Sequence, residues 1–380
     1  MLKQLIQFFS SLRLTVVCLI LGCVIVFGGT IAQVHLGLYR AQAEFFRSFF
    51  VCWQPAGTAW KIPVFPGGYL IGGVLLINLL VSHVRYYQPG KRKIGIALIH
   101  LGIVLLLAGQ MLTDLLSVES VQHLRIGEVK NYSESGRESE LAVLDTTDTN
   151  ADKVVAIPCN LLARTQSVQD PALPFEIHVQ AFYANSEVSD KAAPGFDPVK
   201  TTAGFGGGLW WRDLPRETDM QKTDVPSAIV AINGTQGLVG SFLVSEFLGQ
   251  PQVFSYNGRQ YELVLRPQRF YMPFSLRLLA FKHDTYPGTD IPKNFSSRVR
   301  LQRPDTGEDR EVLIFMNNPL RYAGETFYQA SFDSDDHGSI LQVVHNPGWL
   351  TPYLGCALVG AGLVFQFLTH LIPFLKRRHI

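Results

Sequence analysis

Four long apolar runs and one long polar stretch divide this chain. Leu14 to Ile31 and Pro66 to Val84 carry no charged residue apart from the titratable His83. Ile94 to Thr113 is broken only by Gln110 and His100, and Trp349 to Leu375 carries only His370. Each run is long enough to cross a bilayer core as a helix, which takes about 20 residues. Val118 to Asn346 has a different pattern. Stretches such as Phe175 to Gln180 alternate apolar and polar side chains, as a half-buried strand does. Further strands are expected at Lys153 to Ile157, Ser227 to Ile232, Gln260 to Leu265, Ser275 to Phe281, Ser297 to Leu301, Glu311 to Phe315, Thr326 to Phe332 and Ser339 to Val344. Asn233-Gly234 and Asn257-Gly258 read as hairpin turns.

The fold class that follows is a membrane protein: four transmembrane helices plus a large, mainly-β extracytoplasmic domain, a sandwich or an open barrel. Residues 1–115 hold three spans (about 14–31, 66–84 and 94–113) and an extracytoplasmic loop, 33–65. Residues 116–347 form the β-rich domain. Residues 348–380 form the fourth span and a basic tail. Within the loop, Ala41 to Cys52 reads as a short interfacial helix rich in phenylalanine. Pro194 to Gly208 reads as a long loop.

Charge sets the expected orientation. Charged residues are 17% of the chain, against about 25% in soluble proteins. Lys3 and Arg13 precede the first span. Arg85, Lys91, Arg92 and Lys93 lie between the second and third, and Lys376, Arg377 and Arg378 follow the fourth. With four spans all three clusters fall on one side, read as cytoplasmic. The expected location is therefore the cytoplasmic (inner) membrane, with the large domain on the periplasmic side. The first span reads as an uncleaved anchor.

Several function classes drop out. A net charge of +2 without a basic, aromatic-laced stripe gives no footprint for nucleic acid. No G-x-x-x-x-G-K-[ST] occurs, so the chain is not itself an ATPase. No H-x-x-x-H or H-E-x-x-H cluster points to zinc, and no G-x-S-x-G points to a hydrolase. The five cysteines form neither C-x-x-C nor C-x-x-C-H, so neither thiol–disulfide exchange nor a covalent c-type haem of its own is expected. Trp210-Trp211-Arg212-Asp213 is a poor match to the tryptophan-rich WWD motif of haem-handling membrane proteins and reads as an aromatic turn.

Single residues remain. His83, His370 and His35 lie near span ends, where an amphipathic ring reaches the interface. His100 lies six residues past Ile94, about 9 Å along a helix, too deep for that. Its helical neighbours Ile96, Ala97, Ile103, Val104 and Leu107 make an apolar face opposite the stripe Gly95, Gly102 and Gly109. That stripe reads as helix-packing surface. Two readings of His100 stand side by side: an axial ligand to haem iron, and an interhelical hydrogen bond.

Ordered motifs narrow the choice. They are Tyr286 to Ser297 (YPGTDIPKNFSS), Met316 to Gly324 (MNNPLRYAG), Thr326 to Phe332 (TFYQASF) and Asn346-Pro347-Gly348-Trp349 running into the last span. In this order the sequence resembles the ResB (CcsB) family of cytochrome c biogenesis proteins, over essentially the whole chain. The resemblance implies a System II subunit. Such a subunit works with a ResC/CcsA-like WWD-motif membrane protein, moving haem b across the membrane and supporting its thioether attachment to apocytochrome c. His100 matches the family's third-span histidine, which implies an axial ligand to transported haem, with a second ligand from the partner. No catalytic residue is assigned. The chain is expected to be an accessory subunit of a haem lyase, with ligation chemistry on the partner and an extracytoplasmic thiol reductant in the same pathway. The MNNPL and YQASF segments are expected to be structural or interfacial. The alternative is a non-catalytic, membrane-anchored scaffold for assembly of a respiratory complex, not binding haem.

Overall fold

The computed structural model describes residues 2–55, 58, 60–86, 93–148, 152–217, 222–289 and 292–378. Lys91 and Arg92 of the basic cluster, and Asp290 and Ile291 of the YPGTDIP motif, lie outside the described residues. The described chain divides into two compact units, residues 2–118 with 345–378, and residues 119–217 with 222–344.

The first unit contains four helices long and apolar enough to cross a membrane: Leu12–Leu36, Gly68–Tyr86, Ile94–Leu116 and a fourth beginning at Thr351 and continuing to Arg378. We call them spans 1 to 4. They are apolar around most of their circumference, as lipid-facing helices are. Span 1 is preceded by a short helix, Leu2–Phe9. The break between the two is held from span 2. Buried Asn78 donates to the carbonyls of Phe9 (2.6 Å) and Ser11 (3.1 Å) and accepts from the Thr15 hydroxyl (2.7 Å). Arg85 donates to Ser10 Oγ at 2.6 Å. A buried amide in an apolar helix is tolerated because these bonds satisfy it.

The loop after span 1 differs from its sequence reading. Leu38–Ala41 and Gln42–Phe46 are helical, but Phe50–Trp53 is a strand paired antiparallel with Ile62–Pro66. Phe45 and Phe46 pack with Cys18, Ile25, Val51 and Ile71 of the unit's own core. The glycines of span 1 explain why. A side-chain carbon at Gly29 would stand 2.8 Å from the Phe46 ring, so these rings fill the notch that Gly28 and Gly29 leave.

The second unit is β-rich. Its largest sheet runs Glu308–Phe315, Pro292–Arg303, Arg259–Thr285, Val129–Asp145, Val118–Arg125, Gly338–His345, Glu325–Phe332, Leu320–Tyr322. Gln252–Tyr256 and Lys153–Pro158 pair at its flank, making ten strands. The sheet curls until its ends approach. Tyr322 Oη, near one end, donates to Glu308 Oε2 at the other (2.5 Å), and Ser297 Oγ donates to Gln329 Oε1 (2.6 Å). The result is a nearly closed barrel around Leu124, Phe274, Leu276, Leu278, Val299, Leu301, Phe327 and Leu341.

Gln260 to Leu265 and Ser275 to Phe281, expected as two strands, are parts of one strand, Arg259–Thr285. Its inward residues change phase along the way. Tyr261, Leu263 and Leu265 enter one core; Met272, Phe274, Leu276 and Leu278 enter the barrel core. Odd positions give way to even ones where the pairing with Val129–Asp145 is irregular, between Pro267 and Arg269 and between Tyr271 and Leu276. A bulge adds an unpaired residue and bends the strand, so one chain segment serves two cores.

The other core lies beneath a four-stranded sheet, Gly237–Ser245, Ser227–Gly234, Glu176–Tyr183, Ser167–Val168. Ala228, Val230 and Ile232 face it, whereas Ile229 faces a small third core with Val188, Val199 and Trp211. The run Ala228 to Ile232 is apolar throughout because the strand is covered on both faces. Trp210–Asp213 is the middle strand of a three-stranded sheet, not a turn, with Trp211 buried against Tyr183. Asp197–Pro198 pairs with it, so the stretch 194–208 is not wholly loop.

Asn257-Gly258 forms the expected turn, both residues having positive φ (49° and 73°). Asn233-Gly234 does not. Gly234 pairs with Gly237, and the turn residues are Thr235 and Gln236. Gly234 is instead pressed against the Tyr256 ring.

Candidate functional site

Span 3 carries two faces. One is the glycine stripe, buried against span 4. A side-chain carbon at Gly95 would stand 2.8 Å from the Gly362 carbonyl, and one at Gly102 2.7 Å from that of Gly355. At Gly109 it would collide with the Thr351 side chain. The expected packing role of this stripe is therefore seen directly, antiparallel and in step on both helices. Asn346 helps to begin span 4. Its Oδ1 accepts from the Gly348 amide at 2.8 Å and from the Thr113 hydroxyl at 3.3 Å.

The other face holds His100. It lies two residues before Gly102, on the far side of a helix with 3.6 residues per turn. There it meets span 2. The His83 and His100 rings have centres 6.0 Å apart, with their planes at 70°, and both residues are half-buried. Spans 2 and 3 also meet near their opposite ends, where the Tyr69 hydroxyl donates to Asp114 and Arg47 pairs with Asp114 at 2.8 Å. Around the imidazoles the surface is apolar. Leu80, Ile96 and Ile103 remain 44%, 44% and 36% exposed.

The sequence reading assigned His83 to the interface and did not join it to His100. The signal was present. The segment joining spans 2 and 3 is short, so the spans run antiparallel with both histidines toward the same end. The other span histidines are elsewhere. His35 is exposed at the end of span 1, and His370 lies 2.9 Å from Gln366 Nε2 within span 4. Among the described residues, no group of three or more His, Cys, Asp or Glu side chains could hold a metal ion.

The β domain has a second histidine cluster, at the hairpin turn 333–338. His123 Nε2 lies 2.9 Å from Asp333, and His283 Nδ1 lies 2.9 Å from Asp336. Arg125 pairs with Asp335. The His337 amide, with Arg125 adding to it, holds the Asp335 carboxyl below the usual carboxylate range. Every histidine here has a carboxylate or backbone partner, so the cluster reads as a fastened turn. Two of the family-like segments are framework too: Leu320 of MNNPL and Phe327 of TFYQASF are buried in the barrel core.

Four apolar helices and a barrel-like β domain in one chain, with an imidazole pair between two of the helices, define a multi-span membrane protein with a large β domain. A family model, described as the ResB-like family, matches residues 90–340, and the chain belongs to that family. The chain is also similar to Protein NrfI of Wolinella succinogenes, 29% identical over 304 residues. The match covers 78% of this chain and 29% of that protein, so this chain corresponds to under a third of its relative's length. Family membership supports a role in cytochrome c maturation.

Proposed function

We propose that this chain is the haem-handling subunit of a System II cytochrome c maturation complex. His100 provides an axial nitrogen to haem within the membrane. The observation that carries this reading is the division of span 3. Its glycine face is used up in packing against span 4, whereas His100 stands on the opposite, apolar face. An imidazole in hydrocarbon is costly and marks a functional position. A neutral imidazole lone pair binds haem iron, and the apolar side chains beside it suit the flat macrocycle.

The described basic residues Lys3, Arg13, Arg85, Lys93 and Lys376 favour one side of the membrane for both termini, read as cytoplasmic. The β domain is then extracytoplasmic, where apocytochrome c is matured. Thioether formation adds a cysteine S–H across a haem vinyl group. This chain has no C-x-x-C to keep client thiols reduced and no WWD motif. Both tasks are assigned to partners: a ResC/CcsA-like WWD protein for ligation and a thiol reductant for the client cysteines.

The test is His100→Ala in the full chain, coexpressed with a WWD partner. Alanine keeps the helix. The complex should assemble, copurified haem should fall sharply, and holocytochrome c should fall with it. Normal assembly with wild-type haem content would make His100 a packing residue and favour the scaffold reading.

A further inference from the structure

Phe45 and Phe46, expected at the membrane surface, are instead packed into the core of their unit, and the β-hairpin that follows them presents tryptophan. We propose that the tip of this hairpin, Trp53, Trp60 and Ile62, is a membrane-interface anchor, seated among the headgroups and upper acyl chains of the lipid beside spans 1 and 2.

The register of the hairpin carries the argument. Val51 pairs with Phe65, and Trp53 pairs with Ile62. Val64 is an extra residue on its strand, and this bulge keeps both pairs on one face. Val51 and Phe65 use that face to pack with Cys18, Ile25 and Ile71 of spans 1 and 2. Trp53 lies two residues, about 7 Å, further along the same face. There it is 58% exposed, Ile62 beside it is exposed, and Trp60 is 78% exposed. One face of the hairpin therefore starts on the membrane helices and continues, still apolar, beyond them.

Continuity with the spans makes lipid the occupant. The second strand ends at Pro66 and span 2 begins at Gly68. The Gly67 amide donates to the Phe49 carbonyl at 2.8 Å, and the Tyr69 amide to the Ser48 carbonyl at 3.2 Å. The hairpin is thus fastened to the end of span 2, where that helix leaves the bilayer. Tryptophan suits this level, because its ring is apolar and its N–H seeks a hydrogen-bond partner. Lys61 is the one charged residue in 50–66 and is exposed between Trp60 and Ile62, a cation for lipid phosphate. The depth is limited by the backbone. The open edges of a two-stranded hairpin carry groups that hydrocarbon cannot satisfy, so the hairpin stays in the hydrated boundary. Cys52, on the opposite face, stays on the water side.

The full chain in phosphatidylcholine nanodiscs tests this, with lipid brominated either near the headgroup end or near the middle of the acyl chain. The emission of the tip is wild type minus Trp53→Phe/Trp60→Phe. Trp60→Phe alone, at a residue outside both strands, gives the same readout if the double variant does not fold. The difference emission should be quenched several-fold more strongly by the shallow bromines than by the deep ones, and should resist iodide in the water. Cys52 should react with a membrane-impermeant maleimide in the same nanodiscs. Quenching by iodide and by neither lipid would leave the tip in water and overturn the proposal. Shielding from both iodide and bromine would mean that protein covers the tip, a second copy or a partner, and would overturn it equally. Stronger quenching by the deep bromines, with Cys52 protected, would bury the hairpin in hydrocarbon and contradict the interfacial placement.

Discussion

Gly102 of span 3 lies so close to Gly355 of span 4 that a side-chain carbon at 102 would stand 2.7 Å from the Gly355 carbonyl oxygen. The contact is backbone on backbone, so nothing flexible can give way. In lipid, where helices gain little from hiding apolar surface, such close approach is what holds them together. It also fixes which way His100 points, since the opposite face of span 3 is the one left to meet span 2.

Gly102→Val should therefore separate spans 3 and 4. Overpacking a tight contact costs about 1–3 kcal/mol. Thermal unfolding of the detergent-solubilised chain should shift down accordingly. Gly360→Val is the control, because nothing lies within 4 Å of a side-chain carbon there. Equal effects at the two positions would mean that the seam does not hold the helices.

Glu140 and Arg266 form a buried ion pair in the β domain, Nε to Oε1 3.0 Å, at 4% and 9% side-chain exposure. Removing one partner strands the other charge in the interior. Glu140→Ala should destabilise the domain by about 3–5 kcal/mol. The exposed pair Arg300–Asp309, screened by water, should contribute far less. Chemical denaturation of the full chain, followed by tryptophan fluorescence, would rank them. An Asp309→Ala effect as large as that of Glu140→Ala contradicts this account.

Burial pushes the Glu246 carboxyl above the usual carboxylate range, against a hydrogen bond from Ser139. The folded state therefore binds the proton more tightly than the unfolded chain. Stability from this group is present in acid and is lost as pH rises through the folded pKa. Glu246→Gln removes the ionisation. Its melting temperature should match wild type in acid and exceed it at neutral pH. A constant difference across that range would show that Glu246 does not titrate with folding.

Cys159 and Cys52 should differ in reactivity. Burial pushes the Cys159 thiol up to about 12, with the Glu246 and Glu140 carboxylates adding to the shift. At pH 8 only about one Cys159 in ten thousand is thiolate, the reactive form. Cys52 is exposed. In single-cysteine variants, maleimide should label Cys52 in the native protein and Cys159 only after denaturation. Rapid native labelling of Cys159 would contradict its burial. A membrane-impermeant maleimide applied from the periplasmic side should reach Cys52 in intact cells, which also tests the proposed orientation.

Local pattern accounts for what could be read from residues alone. Span length and apolarity are properties of consecutive residues, so all four membrane helices were legible. The period-two strands were legible for the same reason, and so was the Asn257-Gly258 turn, where both residues take positive φ themselves. The packing role of Gly95, Gly102 and Gly109 followed from their even spacing.

What failed depended on residues distant in sequence. Asn233-Gly234 has turn chemistry, yet the Tyr256 ring and the register with Gly237–Ser245 move the turn to Thr235-Gln236. Trp210–Asp213 becomes a strand because Ser186–Ser189 and Asp197–Pro198 pair on either side of it. The two half-strands within Arg259–Thr285 join because Val129–Asp145 runs beside both. The histidines show the same division. Sequence alone marked His100, because depth in an apolar run is a local quantity. Only the packing of span 2 against span 3 brings His83 to it, because the face a helix turns to its neighbour is set by contacts along both.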